Sequence, residues 1–217
     1  MDLGLKGKVA LVFPGTTPVG AAIAARLASE GCSTTSDENA PRLDIVVCCA
    51  EGDAPGRIDG VPAERVLALL QAQLLGPWEL IRRLAPRLRE QGSGRIVFVI
   101  DAAAKVPHHD ALAAAVCGAA QLAFVKALSD DLARDGVLVN AVCLSKVAGH
   151  PARALPQPRV GRSLDQQQRQ WGLDVPLGRA GSPQDVASAV AFLASGRAAF
   201  IVGSNIDVDG GHQRSYI

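Results

Sequence analysis

At 217 residues, with 48% hydrophobic and 20% charged side chains, the chain is long enough for one sizeable core and too apolar to be disordered. A net charge of +1 with no basic run excludes an electrostatic footprint for nucleic acid or an acidic membrane surface, so neither is an expected partner. Cys32, Cys48, Cys49, Cys117 and Cys143 form no CxxC pair and no ligand spacing, so no metal is expected and they read as small hydrophobes in a reducing, cytoplasmic compartment. The charged opening, Met1 to Lys8, is not a signal peptide and leads straight into a strand.

Lys8-Val9-Ala10-Leu11-Val12-Phe13 is a continuous apolar run, the signature of a buried parallel strand. Residues 14–20 turn the chain, and Ala21 to Glu30 reads as a helix closed by Gly31. Strand, glycine-bearing turn and helix form the first unit of a dinucleotide fold, in which the helix N-terminus attracts a pyrophosphate. Here Gly15 and Gly20 are the only glycines of the turn, and Pro18 removes a backbone donor. Cys32 to Thr35 is a weak second strand, and Asp44 to Ala50 a buried third. Asp37 and Glu38 lie where an acid reading a ribose hydroxyl would sit, and equally where a solvated loop charge would.

Helices follow at Pro62 to Leu75 and Trp78 to Glu90, interrupted by Gly76-Pro77, then a strand at Arg95 to Ile100 and a loop at 101–109. Ala111 to Ala133 is apolar on every face of its first fifteen residues except for Gln121, so it should be covered on both sides. Before Lys126 it is too short for a bilayer, so it reads as a core and interface helix. Gly136 precedes a strand at Val137 to Leu144. His150 to Pro176 reads as a lid with a helix at Leu164 to Trp171. Ser182-Pro183 caps a helix running to Ser195, and Ile201 to Val208 is the last strand. This alternation predicts a single α/β domain over 1–217, one doubly wound parallel sheet with helices on both faces.

KVALVFPG…VGAAIAARLASEG, DIVVCCA, QLLGPW, GSGRIVFVI, LARDGVLVNAV, PLGRAGSPQDVASAVAFLAS and IVGSNIDVDGG, in that order, resemble the short-chain dehydrogenase/reductase family nearly end to end. The resemblance implies a Rossmann-like fold and, in an intact member, reduction or oxidation with NAD(P). It places cofactor contacts on Gly15, Thr16, Gly20 and Ala50, a degenerate set: the glycine loop is one residue short of TGxxxGxG, and NNAG stands as Cys48-Cys49-Ala50-Glu51. The helix-four Asn falls on Gln73, the catalytic Ser on Asp101, and the YxxxK pair on Ala114 and Gly118.

In the family a Tyr hydroxyl transfers the proton, a Lys four residues on lowers its pKa, and a Ser polarises the carbonyl. Spacing of i, i+4 puts Tyr and Lys on one helix face. Alanine and glycine supply neither proton nor charge, a loss worth roughly 10²–10⁴-fold in general acid–base help. A carboxylate at Asp101 would repel a developing alkoxide. Between Thr35 and Asp44 a βα unit is also missing, which shortens the sheet at its edge and removes one wall of the adenine pocket.

The sequence therefore reads as a non-catalytic member with no cofactor, NAD(P) being the one it would take if any. It is expected to act as a homo-oligomer or beside a catalytically intact paralogue, through Trp78 to Glu90, Ala111 to Ala133 and Ser182 to Gly211. The alternative is an NAD(P)-dependent oxidoreductase of ketone/alcohol or ketoacyl type with a non-standard site. For that reading His108, His109, Asp101 and Lys105 offer acid–base groups, an exposed polar loop being their bland reading. Vicinal Cys48 and Cys49 should point to opposite faces of a strand, and Trp78 and Trp171 read as core and lid residues.

Overall fold

A computed structural model describes residues 2–49, 54–148 and 164–214. Among these, six strands make one parallel sheet: β1 (Val9–Phe13), β2 (Ser33–Thr35), β3 (Ile45–Cys49), β4 (Gly94–Asp101), β5 (Val137–Leu144) and β6 (Asn205–Val208). Their order is β2-β1-β3-β4-β5-β6. The expected fold class holds, and the sheet ends at β2, so the edge unit missing from the sequence is missing from the sheet. The return from β2 to β3 runs through 36–44 without a helix.

The helices are α1 (Pro18–Ser29), α2 (Ala63–Leu70), α3 (Gly76–Gln91), α4 (Leu112–Leu132), α5 (Leu164–Asp174) and α6 (Pro183–Ala194). Side chains alternate along each strand. Val47, Cys49, Val97, Val99 and Val142 pack with Ile23, Leu27, Val186 and Val190 of α1 and α6. Val46, Cys48, Ile96, Phe98 and Val139 pack on the other face with Ile81, Leu84, Val125 and Leu132 of α3 and α4. Cys48 and Cys49 therefore diverge as expected, and both are buried. By length and composition α4 could cross a membrane, yet Val125 and Leu132 sit in this core and the helix packs along β5.

Local chemistry explains where several elements begin. Asp44 enters β3 buried, and its carboxylate accepts from the Val9 amide at 2.9 Å, from Lys8 at 3.2 Å and from two Arg42 nitrogens at 2.8 Å. Burial alone pushes its pKa up, but these donors outweigh burial and hold it below the usual carboxylate value. Ser182 and Asp185 close a capping box at α6, as the Ser-Pro signature predicted. Buried Asn140 on β5 donates to the Ile201 carbonyl at 2.8 Å and accepts from the Ser204 amide at 3.0 Å, fixing the turn before β6.

Four elements differ from the sequence reading. α1 begins at Pro18, because Thr17 caps it and proline suits the first helical position. β6 begins only at Asn205, since Gly203 at φ 62° turns the preceding residues out of the ladder. Gly76-Pro77 does not break the chain: α2 runs through a π turn at Gln71–Leu75 into α3. The Gly76 amide reaches back to the Gln71 carbonyl, and the residue four beyond Gln73 is Pro77, which has no N–H to give. Buried Gln121 of α4 fills that vacancy, donating from Nε2 to the Gln73 carbonyl at 2.7 Å. The expected lid lies outside the described residues up to 163, and its described part is helix α5 and the turn after it.

Candidate functional site

The crevice lies beyond the carboxyl ends of the strands, between β1 and β3, from which the chain leaves in opposite directions, to β2 and to β4. Its first wall is the turn 14–17 and the start of α1. The Gly20 amide is taken by the Thr17 side chain at 3.0 Å and the Ala21 amide by the Thr17 carbonyl at 2.8 Å. Gly20 is needed for space instead, because a Cβ there would strike the Pro14 carbonyl. The amides of Gly15, Thr16 and Val19 have no acceptor within the described protein. Three unpartnered N–H groups at a helix N-terminus form an anion cradle, and this part of the site fits the diphosphate of a dinucleotide. Ala50 lies outside the described residues.

The adenosine side is less open to the acids the sequence suggested. Asp37 accepts from the Asn39 amide at 2.9 Å, and Glu38 is paired with Arg83 of α3 at 2.6 Å.

The residues on which the family resemblance places the proton-transfer pair are packed inside the protein. Ala114 and Gly118 lie one turn apart on α4, both buried. A Cβ on Gly118 would come 2.7 Å from the Ala104 Cβ, so the short turn Ala102–Ala104 occupies the space a side chain would need. Asp101 ends β4 and caps that turn, its carboxylate accepting from the Ala103 amide at 2.5 Å. Gln73 is buried in the π turn. The chain has one tyrosine, Tyr216, outside the described residues.

The loop groups are not brought together as the sequence suggested. The histidines group with Asp110: His109 Nε2 lies 3.3 Å and His108 Nδ1 3.9 Å from its carboxylate. One ligand atom from each of the three falls within 4.8 Å of the others, with both imidazoles exposed. Lys105 is instead nearly buried and pairs with Asp207 of β6 at 2.8 Å. Beside this pair the Cys143 thiol is pushed up to about 12, chiefly by burial. Trp78 is not a core residue: it is 46% exposed and stacks on Phe124 with centroids 4.6 Å apart. Trp171 is buried, under the Lys146 ammonium.

A polar group that the sequence reading did not single out gathers at the end of β5. Ser145 Oγ lies 3.1 Å from His212 Nδ1. Lys146, almost buried and held at φ 54°, reaches Asp174 of α5 at 3.5 Å. The tail after β6 folds back over the sheet end: Gln213 Nε2 donates to the Ala102 carbonyl at 2.8 Å, and the Asp209 carboxylate accepts from the Gly211 and Gln213 amides. Gln213 Oε1 and Trp171 Nε1 are buried there without a partner among the described residues. The available signal was positional: Ser145 and Lys146 are the first polar residues after a buried parallel strand, the end at which such sheets bind ligands.

A family model described as enoyl-(acyl carrier protein) reductase matches residues 25–213. Acetoacetyl-CoA reductase of Rhizobium meliloti (strain 1021) is 31% identical over 143 residues, 66% of this chain and 56% of that protein. The chain thus spans little more than half the length of the first curated relatives it matches. The (2S)-[(R)-hydroxy(phenyl)methyl]succinyl-CoA dehydrogenase subunit BbsC of Thauera aromatica is 28% identical, covering 97% of this chain and 96% of its own. That alignment extends over 253 residues against the 217 present here, as expected if the relative carries residues this chain lacks. The ligand-free structure of Thermoplasma acidophilum aldohexose dehydrogenase superposes with a TM-score of 0.88 at 25% identity, covering 100% of this chain and 98% of that one.

Proposed function

Because the chain belongs to the short-chain dehydrogenase/reductase family, we propose that it is an NAD(P)-dependent oxidoreductase of the ketoacyl type, working in the cytoplasm through an altered site. This reverses the sequence-based expectation of a chain without cofactor. The observation that carries it is the cradle of Gly15, Thr16 and Val19 amides at the switch point of the sheet. Those amides would hold the diphosphate, and the bound nicotinamide would supply or accept a hydride at a carbonyl carbon. The relatives named for acetoacetyl-CoA and a succinyl-CoA derivative support a 3-oxoacyl or 3-hydroxyacyl thioester as substrate class. Fluorescence titration with NADH and NADPH, followed by turnover of acetoacetyl-CoA, tests the reading. Binding in the micromolar range with turnover supports it, and no binding up to about 1 mM sinks it.

A second reading, a silent subunit of such an enzyme, is favoured by the burial of Ala114, by the close packing of Gly118 on Ala104 and by one apolar face. Trp78, Phe124, Leu74 and Ile81 line a groove of about 600 Å³ between α3 and α4. Its occupant on this reading is the same face of a second copy or of an intact paralogue. The Thauera relative, named as a subunit of a dehydrogenase, supports this assembly. Co-purification from the native cell distinguishes the forms: a monomer refutes both, and homomeric protein alone refutes the paralogue.

A further inference from the structure

We infer that Ser145 and His212 form the proton relay of this crevice, with Ser145 Oγ meeting the substrate oxygen and His212 acting through it. The inference rests on the oxidoreductase reading and adds to it the groups that replace the missing tyrosine and lysine. Ser145 follows Leu144, whose register partner on β4 is Asp101, so its hydroxyl stands just past the strand adjoining the family's serine position. The hydroxyl is nearly buried and lies 3.1 Å from His212 Nδ1. The imidazole does not sit there by chance of a free tail. The His212 amide donates to the Asp209 carbonyl at 3.2 Å, and the neighbouring Gln213 is tied both to Asp209 and to the Ala102 carbonyl beyond β4. A histidine held this way can deliver protons near neutral pH, and a hydroxyl screened from water is suited to pass them on.

The nicotinamide, when bound in its reduced form, would supply a hydride to the 3-oxo carbon of the thioester substrate, and the C=O π pair would move onto oxygen. That oxygen takes the proton of Ser145 Oγ, which takes one in turn from protonated His212 at Nδ1. Water then reprotonates the imidazole. The products are the hydroxyacyl thioester and oxidised nicotinamide, and the protein is unchanged.

The test uses the full chain and its His212→Ala, His212→Gln and Ser145→Ala variants, with folding checked by circular dichroism and NADPH binding by fluorescence. Expected is a loss of acetoacetyl-CoA turnover of about 10²–10⁴-fold in each variant that folds, with NADPH binding retained. Added imidazole should restore turnover to His212→Ala but not to Ser145→Ala, a response a merely structural histidine would not give. An independent readout is the His212 ring signal in the cofactor-free protein, which should move when acetoacetyl-CoA is added. Turnover in the wild type that survives these substitutions overturns the relay alone. A wild type that binds NADPH but turns over nothing, with an unmoved His212 signal, overturns the relay for this substrate class. A wild type that binds no nicotinamide at all overturns the oxidoreductase reading, and the relay with it.

Discussion

Replacing Gly118 by alanine sets two effects of opposite sign against each other. In a helix interior, alanine is favoured over glycine by about 1 kcal/mol, so propensity alone predicts a more stable protein. The new methyl would lie 2.7 Å from the Ala104 Cβ and 3.3 Å from its Cα, where carbon contacts are comfortable only at about 3.5–4.0 Å. The turn at 102–104 must therefore withdraw by roughly 1 Å to reach that contact distance. It is tethered at its first two residues, by Asp101 to the Ala103 amide and by Gln213 to the Ala102 carbonyl. Overpacking of this kind costs about 1–3 kcal/mol. The expected balance is a net loss of up to about 2 kcal/mol in urea unfolding, the clash outweighing the propensity gain. Combining it with Ala104→Gly, which removes the obstructing methyl, should recover about 1 kcal/mol as coupling between the two sites. A Gly118→Ala protein as stable as the wild type, or more so, would refute the reasoning. The same contact means that a lysine placed at 118 would meet the Ala104 methyl before it could extend.

Gln121→Leu should cost about 1–3 kcal/mol, because it removes the buried hydrogen bond to the Gln73 carbonyl; in a Pro77→Ala background, where a backbone N–H becomes available, thermal melts should find a smaller penalty. Trp78→Glu, at a half-exposed position of the α3–α4 groove, should dissociate an assembly built on that face without unfolding the subunit, as read by light scattering and circular dichroism; assembly unchanged by the charge argues against that face. The Asp185 carboxyl is held well below its ordinary pKa, first by hydrogen bonds from Arg179 and then by the Ser182 amide. A depressed folded-state pKa contributes stability above the unfolded value near 4, and that stability is lost as pH falls through the folded value, so the wild type should lose more stability than Asp185→Asn between about pH 5 and 3. Equal acid sensitivity of the two proteins would show that the pair contributes nothing.

The fold was legible because the strands are read from continuous apolar runs and both faces of the sheet are covered. Val137–Leu144 was found to the residue, since it is bounded by Gly136 and Ser145. Helix ends were less legible where proline has two meanings. Pro18 was read as a loop residue because its missing N–H is costly inside a helix, but at the first position it costs nothing. Pro77 was read as a break, and the compensating donor comes from Gln121, distant in sequence and invisible to any local pattern. The same limit applies to the site. The degeneracy of the turn after β1 could be read from its spacing, whereas the pairing of Ser145 with His212 joins residues 67 positions apart. The pairing of Lys105 with Asp207 spans 102 positions, and only the sheet order brings these ends together.

The loss of the edge unit has a consequence for how chains of this kind can meet. An open sheet edge is a template on which a foreign strand can add its backbone. Here that edge is β2, three residues long, with Ser33 and Thr34 exposed. So short a ladder offers an incoming strand almost nothing to hold, and it resists edge-to-edge aggregation by brevity, without needing a covering helix. A second chain meeting this side of the molecule would have to approach through side chains on the helices, where the match between two surfaces can discriminate one partner from another.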